Sequence, residues 1–465
     1  EVDLDAIVYN VQQIKKLHPN KKIFAVVKAN GYGHGDVEVS RVALLAGVTN
    51  LAVSGLDEAL GLRKAGIEAP ILVLGMTRLK DVSIAAQYNI ALTAHDECWI
   101  SKLVELPLET PVKVHLKIDS GMHRLGLTTK EKVKETFELL KAAPKVELEG
   151  VFTHMATADC DADYLEYQIK TFESLIEDLD LSSIKYVHIE NTATLLQREF
   201  EFDHAIRLGL GLYGINPDAT FIPLEFDLKP ALKLYSKITQ VKRINKGDKV
   251  GYGATYTAEN DEWIGVVPIG YADGWIRAHQ GRNVIVEGKE CEIIGRVCMD
   301  QLMIRLPHEV EMGTMVTLIG DGMPVERVAD EIGTISYEIL CMLSDRVPRV
   351  YKENGEIVGE NFISIVKREF EYSASYYRTY IDYDDTEVTE YGRGMFGRDR
   401  EVTKYSYNAQ DAVNELRSDL QNAISWAKSD ITDAAFDYVK GLVISYNRNL
   451  KACLDKKIQE IKKIQ

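Results

Sequence analysis

Eight short apolar segments, most of them separated by an amphipathic stretch of helix length, dominate the first half of the chain. They read IFAVVKA, NLAVS, PILVLG, IALTA, VKVHLKID, VELEGVFTH, YVHIEN and AIRLGLGLYG, and they lie between Ile23 and Gly214. Apolar segments that alternate with helices indicate buried strands of a parallel sheet. Eight such units predict a closed (β/α)8 barrel of the TIM type, and a doubly wound open sheet is the structural alternative.

The pattern changes twice after the eighth segment. From about Pro223 the chain consists of short β-type runs interrupted by Gly, Asn and Asp, which predicts a mostly antiparallel β domain. A tyrosine-rich and acidic stretch follows, and from Asn408 apolar residues recur at helical spacing. We therefore predict an α/β barrel over 1–222, a β domain over 223–367, and a linker with a helical tail of unknown role over 368–465.

Composition narrows the classes of partner. The 465 residues carry a formal net charge of −16, which argues against nucleic acid because that binding depends on Lys and Arg at phosphates. No apolar run approaches the roughly 18 residues of a membrane span, so no membrane partner is expected. The six cysteines form no CxxC pair, which predicts free thiols in the cytoplasm. Cys298 and Asp300 lack His or Cys neighbours at ligand spacing, so no metal is expected.

The segment AVVKANGYGHG, residues 25–35, ends an apolar strand on a lysine. A charged Lys28 at this point is costly unless it is partnered or uncharged. One explanation is an ammonium that reaches solvent, and the other is a lysine that forms a Schiff base with an aldehyde cofactor. Further polar residues, Lys117, His154, Asn191 and Arg207, fall at or near the ends of other predicted strands, where barrel enzymes carry their chemistry.

Nine motifs over about four-fifths of the chain resemble those of the bacterial alanine racemases, in the same order. They are AVVKANGYGHG, HLKIDSGMHRLG, GVFTHMATAD, HIENTAT, IRLGLGLYG, VGYGATYTA, VPIGYADGW, GRVCMDQLMI and GTISYE. The resemblance covers residues 1 to about 367 and implies a homodimeric, cytoplasmic bacterial isomerase that uses pyridoxal 5'-phosphate (PLP). Its implied role is to interconvert L- and D-alanine and so to supply D-alanine for peptidoglycan in the cell wall.

The resemblance also implies the catalytic residues. Lys28 would carry PLP and act as the base on the D face of the substrate, and Tyr252 from the partner subunit would act on the opposite face. Because a tyrosine with a pKa near 10 is a weak base, it needs a neighbour that stabilises its phenolate, and His154 takes that position. Arg207 would face the pyridine nitrogen, where an arginine can only donate and keeps that nitrogen unprotonated.

Binding residues follow from the same motifs. Those implied for the cofactor are Tyr32, Arg124, Asn191, Thr192, Gly209, Leu210 and Tyr337, in addition to Lys28, His154 and Arg207. Those implied for alanine are Arg124, Lys117, Tyr271, which narrows the entrance, and Met299, which offers its backbone from the second subunit. The resemblance also implies a carbamate on Lys117, which would orient Arg124, and we expect it here because an unmodified Lys117 beside Arg124 would be a like-charge pair.

Some positions depart from the family pattern, and they keep alternatives open. Gly31, His123, Glu190 and Thr192 stand where alanine, glycine, a smaller residue and serine are usual, and His123 and Glu190 can shift the substrate preference or the carbamate equilibrium. The alternatives are a broader racemase for serine or a basic amino acid, a non-catalytic PLP-binding barrel, and a racemase body that carries the tail as an oligomerisation or partner-binding module. An intact VGYGATYTA segment counts against the non-catalytic barrel, which lacks a second domain.

Overall fold

The computed structural model describes residues 1–360 and two short strands beyond them. The chain divides into two units, Glu1–Val358 and Gly359–Gln465. In the second unit, Gly392–Arg393 and Asp399–Arg400 pair as antiparallel strands. The predicted helical tail from Asn408 lies outside the described residues.

Eight parallel strands form the predicted barrel. After β1 (Val2–Asp3), they are β2 (Lys22–Val26), β3 (Asn50–Val53), β4 (Ile71–Val73), β5 (Ile90–Ala94), β6 (Val112–Lys117), β7 (Val146–Phe152), β8 (Tyr186–His188) and β9 (Ala205–Leu208). Strands β3 to β8 each pair with the strand before them along the chain, and β9 pairs with β2, which curls the sheet back on itself. The barrel prediction is confirmed, and the open doubly wound alternative, in which the first and last strands do not pair, is wrong.

Helices follow most barrel strands and cover the outside of the sheet. They are α1 (Leu4–Leu17), α2 (Lys28–Tyr32), α3 (Asp36–Leu45), α4 (Leu56–Lys64), α5 (Val82–Gln87), α6 (Glu97–Val104), α7 (Lys130–Ala142), α8 (Ala162–Ile176) and α9 (Thr192–Leu195). Several begin at a side-chain cap: Asp3, Asp96 and Asp161 each accept a backbone N–H from the first turn. None of the described helices is long and apolar enough to cross a membrane.

The seam between β8 and β9 is closed by a few hydrogen bonds rather than by a continuous ladder. The backbone N–H of His204 donates to the carbonyl of Val187 at 2.8 Å, and that of Arg207 donates to Glu190 at 3.0 Å. The Asp203 carboxylate bridges the same gap by accepting the backbone N–H groups of Ile189 and Ala205, both at 2.9 Å. A buried carboxylate thus replaces part of the missing ladder.

An antiparallel domain follows the barrel. Its strands are β10 (Leu234–Lys237), β11 (Gln240–Ile244), β12 (Lys249–Val250), β13 (Tyr256–Thr257), β14 (Glu262–Val267), β15 (Asn283–Val286), β16 (Lys289–Ile294), β17 (Leu302–Leu306), β18 (Met315–Ile319), β19 (Val350–Glu353) and β20 (Glu356–Glu360), with helices α10 (Val325–Glu331) and α11 (Ser336–Met342). Seven strands form one sheet in the order β10-β18-β15-β16-β17-β14-β11. The first strand, β1, pairs in parallel with β19, so both ends of Glu1–Val358 meet in one small sheet.

Candidate active site

Lys28 begins a short helical turn in which the next three residues are left-handed. Ala29, Asn30 and Gly31 have φ values of 53°, 52° and 59°, in the left-handed region that non-glycine residues rarely adopt. Glu58 supports this turn by accepting the backbone N–H of Ala29 at 2.8 Å. The strained conformation is held by contacts from two directions and sets where the Lys28 side chain leaves the strand.

Arg349, near the end of the β domain, holds the same turn in place through hydrogen bonds. Its Nε donates to the carbonyl of Gly33 at 2.9 Å, and its other nitrogens donate to Leu343, Ser344 and Val347. A Cβ on Gly33, whose φ is +79°, would lie 2.2 Å from the carbonyl oxygen of Leu340, so glycine is needed for this close approach. The β-domain part of the chain therefore positions the lysine turn of the barrel.

Positive charges gather at the C-terminal ends of the barrel strands. Burial, and next the charge of Arg124, lower the pKa of Lys28, and burial with Arg207 lowers that of Lys117 well below its usual value. His154 follows β7, and burial together with the charges of Arg207, Lys117, Arg124 and Lys28 lowers its pKa well below 6.5. Within the described residues, no hydrogen bond or ion pair joins the side chain of Lys28 or Arg124 to a carboxylate. The cluster is suited to an anionic ligand.

Arg207 is the centre of a buried hydrogen-bond network. Its Nη1 lies 2.7 Å from Nδ1 of His188, and its Nη2 lies 2.8 Å from the Thr153 carbonyl and 3.3 Å from Nδ1 of His154. Burial lowers its pKa to about 10, so the guanidinium stays protonated at neutral pH. Because it can only donate, both imidazole nitrogens that face it must be acceptors, and His154 must carry its proton on Nε2.

A loop shaped by Asp119 carries Arg124. The Asp119 carboxylate accepts the backbone N–H groups of Gly121 at 2.9 Å, His123 at 2.9 Å and Arg124 at 3.1 Å. Burial alone would raise the pKa of Asp119, but these bonds and Lys117 bring it below its usual value. Beside the loop, a cavity of about 730 Å³ is lined in part by Arg124, His123 and Trp99. Arg124 therefore stands on a braced loop at the wall of an open cavity.

Hydroxyl groups and backbone amides converge at the end of β9. Thr192 Oγ1 accepts the N–H of Gly209 at 2.9 Å and that of Gly211 at 3.4 Å. Leu210 begins a short 3-10 helix, Leu210–Tyr213. A Cβ on Gly209 would lie 3.2 Å from the hydroxyl of Tyr32. Tyr32 also packs near Tyr337, with ring centroids 5.9 Å apart. Asn191 caps α9 through Thr194 and donates to the carbonyl of Met155 at 3.2 Å.

Tyr252, Tyr271 and Met299 form a separate surface, which we call the β-domain patch. Their side chains are 71%, 42% and 53% exposed. The patch is held together by the N–H of Tyr271 donating to Cys298 at 3.1 Å, and by Arg296, which packs on the Tyr252 turn at Gly253. None of the contacts that the described residues make with Lys28, His154 or Arg207 involves this patch.

Sequence reasoning missed four residues of the site, which are His115, His188, Asp119 and Arg349. Both histidines were visible as polar residues inside apolar strand segments, VKVHLKID and YVHIEN. Asp119 stands two residues before Gly121, the spacing at which an aspartate accepts a backbone N–H in an Asx turn. Arg349 had no local signal, since its four acceptors are defined only by packing.

Comparison with known proteins agrees with this architecture. The family described as "Alanine racemase, N-terminal domain" matches residues 2–217, and "Alanine racemase, C-terminal domain" matches residues 231–351. An alanine racemase of Anoxybacillus flavithermus is 48% identical over 368 residues, which cover 77% of this chain and 95% of that protein.

Solved structures give the same picture. The alanine racemase of Bacillus anthracis with bound L-Ala-P is 45% identical, with a TM-score of 0.74 over 77% of this chain and 96% of that one. A histidine racemase from Leuconostoc mesenteroides subsp. sake is 33% identical, with a TM-score of 0.71 over 76% of this chain and 97% of that one. On these matches, the chain belongs to the alanine racemase family.

Proposed function

We propose that this chain is a PLP-dependent racemase that interconverts L- and D-alanine in the cytoplasm of a bacterium. The observation that carries the proposal is the cluster of Lys28, Arg124, Arg207 and His154, in which each positive charge lowers a neighbour's pKa and no carboxylate pairs with Lys28 or Arg124 among the described residues. An amine of lowered pKa surrounded by cations favours an anionic, aldehyde-bearing cofactor.

The residues present fit PLP. Thr192, Tyr32 and Tyr337 offer hydroxyl groups beside the backbone amide of Leu210, a donor set suited to a phosphate, and the N–H of Gly209 holds the Thr192 oxygen in place. The hydroxyls of Tyr32 and Tyr337 make no hydrogen bond with another described residue, so they are available as donors. Arg207 would face the ring nitrogen, and Lys28 would hold the aldehyde carbon. When bound, PLP withdraws electrons from an amino group attached to it and makes the α-hydrogen acidic.

The chain's own residues would move the proton. The neutral form of Lys28, favoured by burial and Arg124, can take the α-proton on one face and return it. Tyr252 of a second subunit would serve the other face. His154 is held neutral with its proton on Nε2 by the donation from Arg207 to Nδ1, so it can donate to a phenolate and stabilise it.

Lys117 and Arg124 would position the substrate carboxylate. Lys117 is buried, with its Nζ 4.8 Å from the centre of the Phe152 ring and 3.3 Å from the carbonyl of Ile118. Its lowered pKa favours the neutral amine, the form that adds CO₂ to give a carbamate and releases one proton. A carbamate would reverse the charge beside Arg124 and let it point its guanidinium at the substrate.

The β-domain patch supports a homodimer with shared sites. Exposed tyrosine and methionine side chains are typical of interfaces, and the patch is fixed by backbone hydrogen bonds rather than by contacts with its own barrel. In a two-fold dimer, each patch would cover the other subunit's barrel end and bring Tyr252 to Lys28. Tyr271 would then narrow the entrance to the cavity, and the backbone of Met299 would face the substrate carboxylate.

The broader-specificity racemase remains as a second candidate, because one related structure is a histidine racemase and His123 lines the cavity next to Arg124. Glu190 does not share that position. It is fully buried and paired with Lys21 at 2.7 Å, so it faces the barrel seam rather than the cavity. Any effect of Glu190 on substrate choice would therefore be indirect.

The test is D-alanine formation from L-alanine with added PLP, together with a panel that includes serine, lysine and histidine. We expect alanine to be turned over fastest and both Lys28→Ala and Tyr252→Phe to lose racemisation. Tyr252→Phe should still exchange the α-proton of D-alanine with solvent, since Lys28 remains on that face. Because Tyr252 is 71% exposed in the single chain, its loss of one hydroxyl should leave folding unchanged. A chain that binds PLP and leaves alanine untouched would overturn the substrate assignment.

Mixed dimers test the shared site. Lys28→Ala and Tyr252→Phe chains, each inactive alone, are unfolded together and refolded with PLP. If each site takes Lys28 from one chain and Tyr252 from the other, half of the dimers are mixed and one of their two sites is intact. Activity should then return to about one quarter of the original. No return of activity, with dimers present on sedimentation, would contradict the shared site.

A further inference from the structure

A continuous series of buried polar groups runs through the barrel from Glu149 to Arg207. Nε2 of His115 on β6 lies 3.5 Å from Oε2 of Glu149 on β7, and Nδ1 of His115 lies 2.8 Å from Nε2 of His188 on β8. Nδ1 of His188 then lies 2.7 Å from Nη1 of Arg207. Both histidines are at most 1% exposed.

The groups at the two ends of this series, Arg207 and Glu149, determine which ring nitrogen of each histidine carries its proton. Arg207 only donates, so Nδ1 of His188 must be an acceptor and the proton of His188 must sit on Nε2. That proton can only go to Nδ1 of His115, which places the proton of His115 on Nε2, facing Glu149. An ionised carboxylate only accepts, so the direction is the same from both ends.

The charges along the chain agree with this arrangement. Burial lowers the pKa of both histidines, so both are neutral at pH 7. Burial opposes ionisation of Glu149, yet its contacts with His115 and Lys185 bring its pKa down to about 2. Lys185 donates to the other carboxylate oxygen at 3.1 Å and Lys113 lies 3.9 Å away, so the Oε2 oxygen is left for His115.

The backbone is shaped to admit His115. The pairing of β6 with β7 shifts register there: Val114 pairs with Leu148 and His115 with Gly150, which leaves Glu149 as the extra, unpaired residue of a bulge in β7. Across from it, a Cβ on Gly150 would lie 2.3 Å from Nδ1 of His115, so only glycine leaves room for the ring. Phe24 and Phe152 enclose His188 by stacking on it, with ring centroids 5.2 and 4.7 Å away.

We infer that Glu149 and His115 are positioning residues for Arg207. They hold His188 in the tautomer that accepts from Arg207, and thereby orient the guanidinium whose other nitrogen donates to His154. In the opposite tautomer, an N–H of His188 would face an N–H of Arg207, and the guanidinium would have to turn away. The importance of Arg207 for catalysis rests on the proposed function, whereas the tautomers of the two histidines do not.

The first test is direct and needs no substitution. In PLP-loaded chain with ¹⁵N-labelled histidine rings, NMR should show neutral His188 and His115, each protonated on Nε2. A coupling between the two nitrogens across the 2.8 Å hydrogen bond should join Nε2 of His188 to Nδ1 of His115. A charged ring, the other tautomer on either histidine, or the lack of this coupling would overturn the inference, whatever substrate the enzyme uses.

Substitutions then separate positioning from folding. Glu149→Leu removes the carboxylate that faces Nε2 of His115. His115→Phe removes the ring nitrogens that link Glu149 to His188 while keeping an aromatic ring. Lys113→Met is the matched control, since it removes a charge facing Glu149 without removing a hydrogen bond. We expect the first two variants to give mixed His188 tautomers and a roughly tenfold lower kcat with little change in KM, and the control to change neither.

The outcomes are distinguishable. If Glu149→Leu and His115→Phe keep the original His188 tautomer, the inference is wrong even where activity falls. If either variant fails to fold, the tautomers of the unsubstituted protein still decide the question. If the tautomers are as expected but alanine is not racemised, the proposed function fails and the positioning of Arg207 stands.

Discussion

The hydroxyl oxygen of Thr192 lies 2.9 Å from the backbone nitrogen of Gly209, across the seam between β8 and β9. Thr192 begins α9 directly after Asn191, and Gly209 directly follows β9. The contact therefore joins the loops after the seventh and eighth barrel strands, the place where barrel enzymes commonly bind phosphate.

Replacing the Thr192 hydroxyl should weaken cofactor binding, since its O–H is one of the groups proposed to donate to the phosphate. Thr192→Val keeps the shape and removes the oxygen, leaving the N–H of Gly209 without its acceptor. We expect PLP to bind about five- to tenfold more weakly, the change that corresponds to roughly 1 kcal/mol. Titration of the PLP-free protein followed by absorbance measures the affinity. Thr192→Ser keeps the hydroxyl and should bind as before, and equal weakening in both variants would contradict this role.

Lys117 should take up CO₂. Because burial and Arg207 lower its pKa, the amine is neutral over a wider pH range than an exposed lysine, and the carbamate should form as pH rises toward neutrality. Protein equilibrated with ¹³C-bicarbonate should show one carbamate carbon signal by NMR, and Lys117→Met should lose it. A signal that persists in Lys117→Met would assign the carbamate to another amine.

Arg349 should contribute strongly to stability. Arg349→Met keeps the length of the side chain but leaves the carbonyl oxygens of Gly33 and Leu343 without these donors in the interior. We expect the free energy of unfolding to fall by about 2 to 4 kcal/mol, since several buried acceptors lose their partner together. Urea unfolding followed by fluorescence measures the change, and Arg327→Met, on the exposed face of α10, is the control that should change little. A fall in unfolding free energy below about 0.5 kcal/mol would contradict this stabilising role of Arg349.

The acid pair at the barrel seam should make stability depend on pH. Burial and the neighbouring Asp203 raise the pKa of Glu190 above its value of 4.5 in the unfolded chain, although Lys21 opposes the shift. The folded state therefore keeps the Glu190 proton to a higher pH than the unfolded state does, and this contribution to stability is lost as pH rises from about 4.5 through the folded pKa.

Glu190→Gln should remove this pH dependence. The difference in unfolding free energy between the original chain and the variant should shift in favour of the variant by roughly 2 kcal/mol from pH 5 to pH 8. Urea unfolding at the two pH values measures it. A constant difference would show that the pKa of Glu190 is the same in both states.

Local pattern was enough for much of the architecture. Each barrel strand coincides with one of the eight apolar segments, with β2 beginning one residue earlier at Lys22, because a strand buried on both faces must be mostly apolar. The lysine motif likewise predicted the position of Lys28 at a strand end, because an apolar run that stops at a charge marks the edge of a sheet. The left-handed conformation of three successive residues, Ala29 to Gly31, could not be read in this way, since Ala disfavours it and Asn adopts it only occasionally.

The order of strands and helices, and the chemical groups at each strand end, follow from the amino-acid sequence, since both depend on residues close together in the chain. The series of polar contacts from Glu149 through His115 and His188 to Arg207 is visible only in the folded structure. That contact set depends on the closure of the barrel, on a register shift beside His115 and on the space left at Gly150. Register and closure arise from packing among all eight strands, and no single segment carries that information.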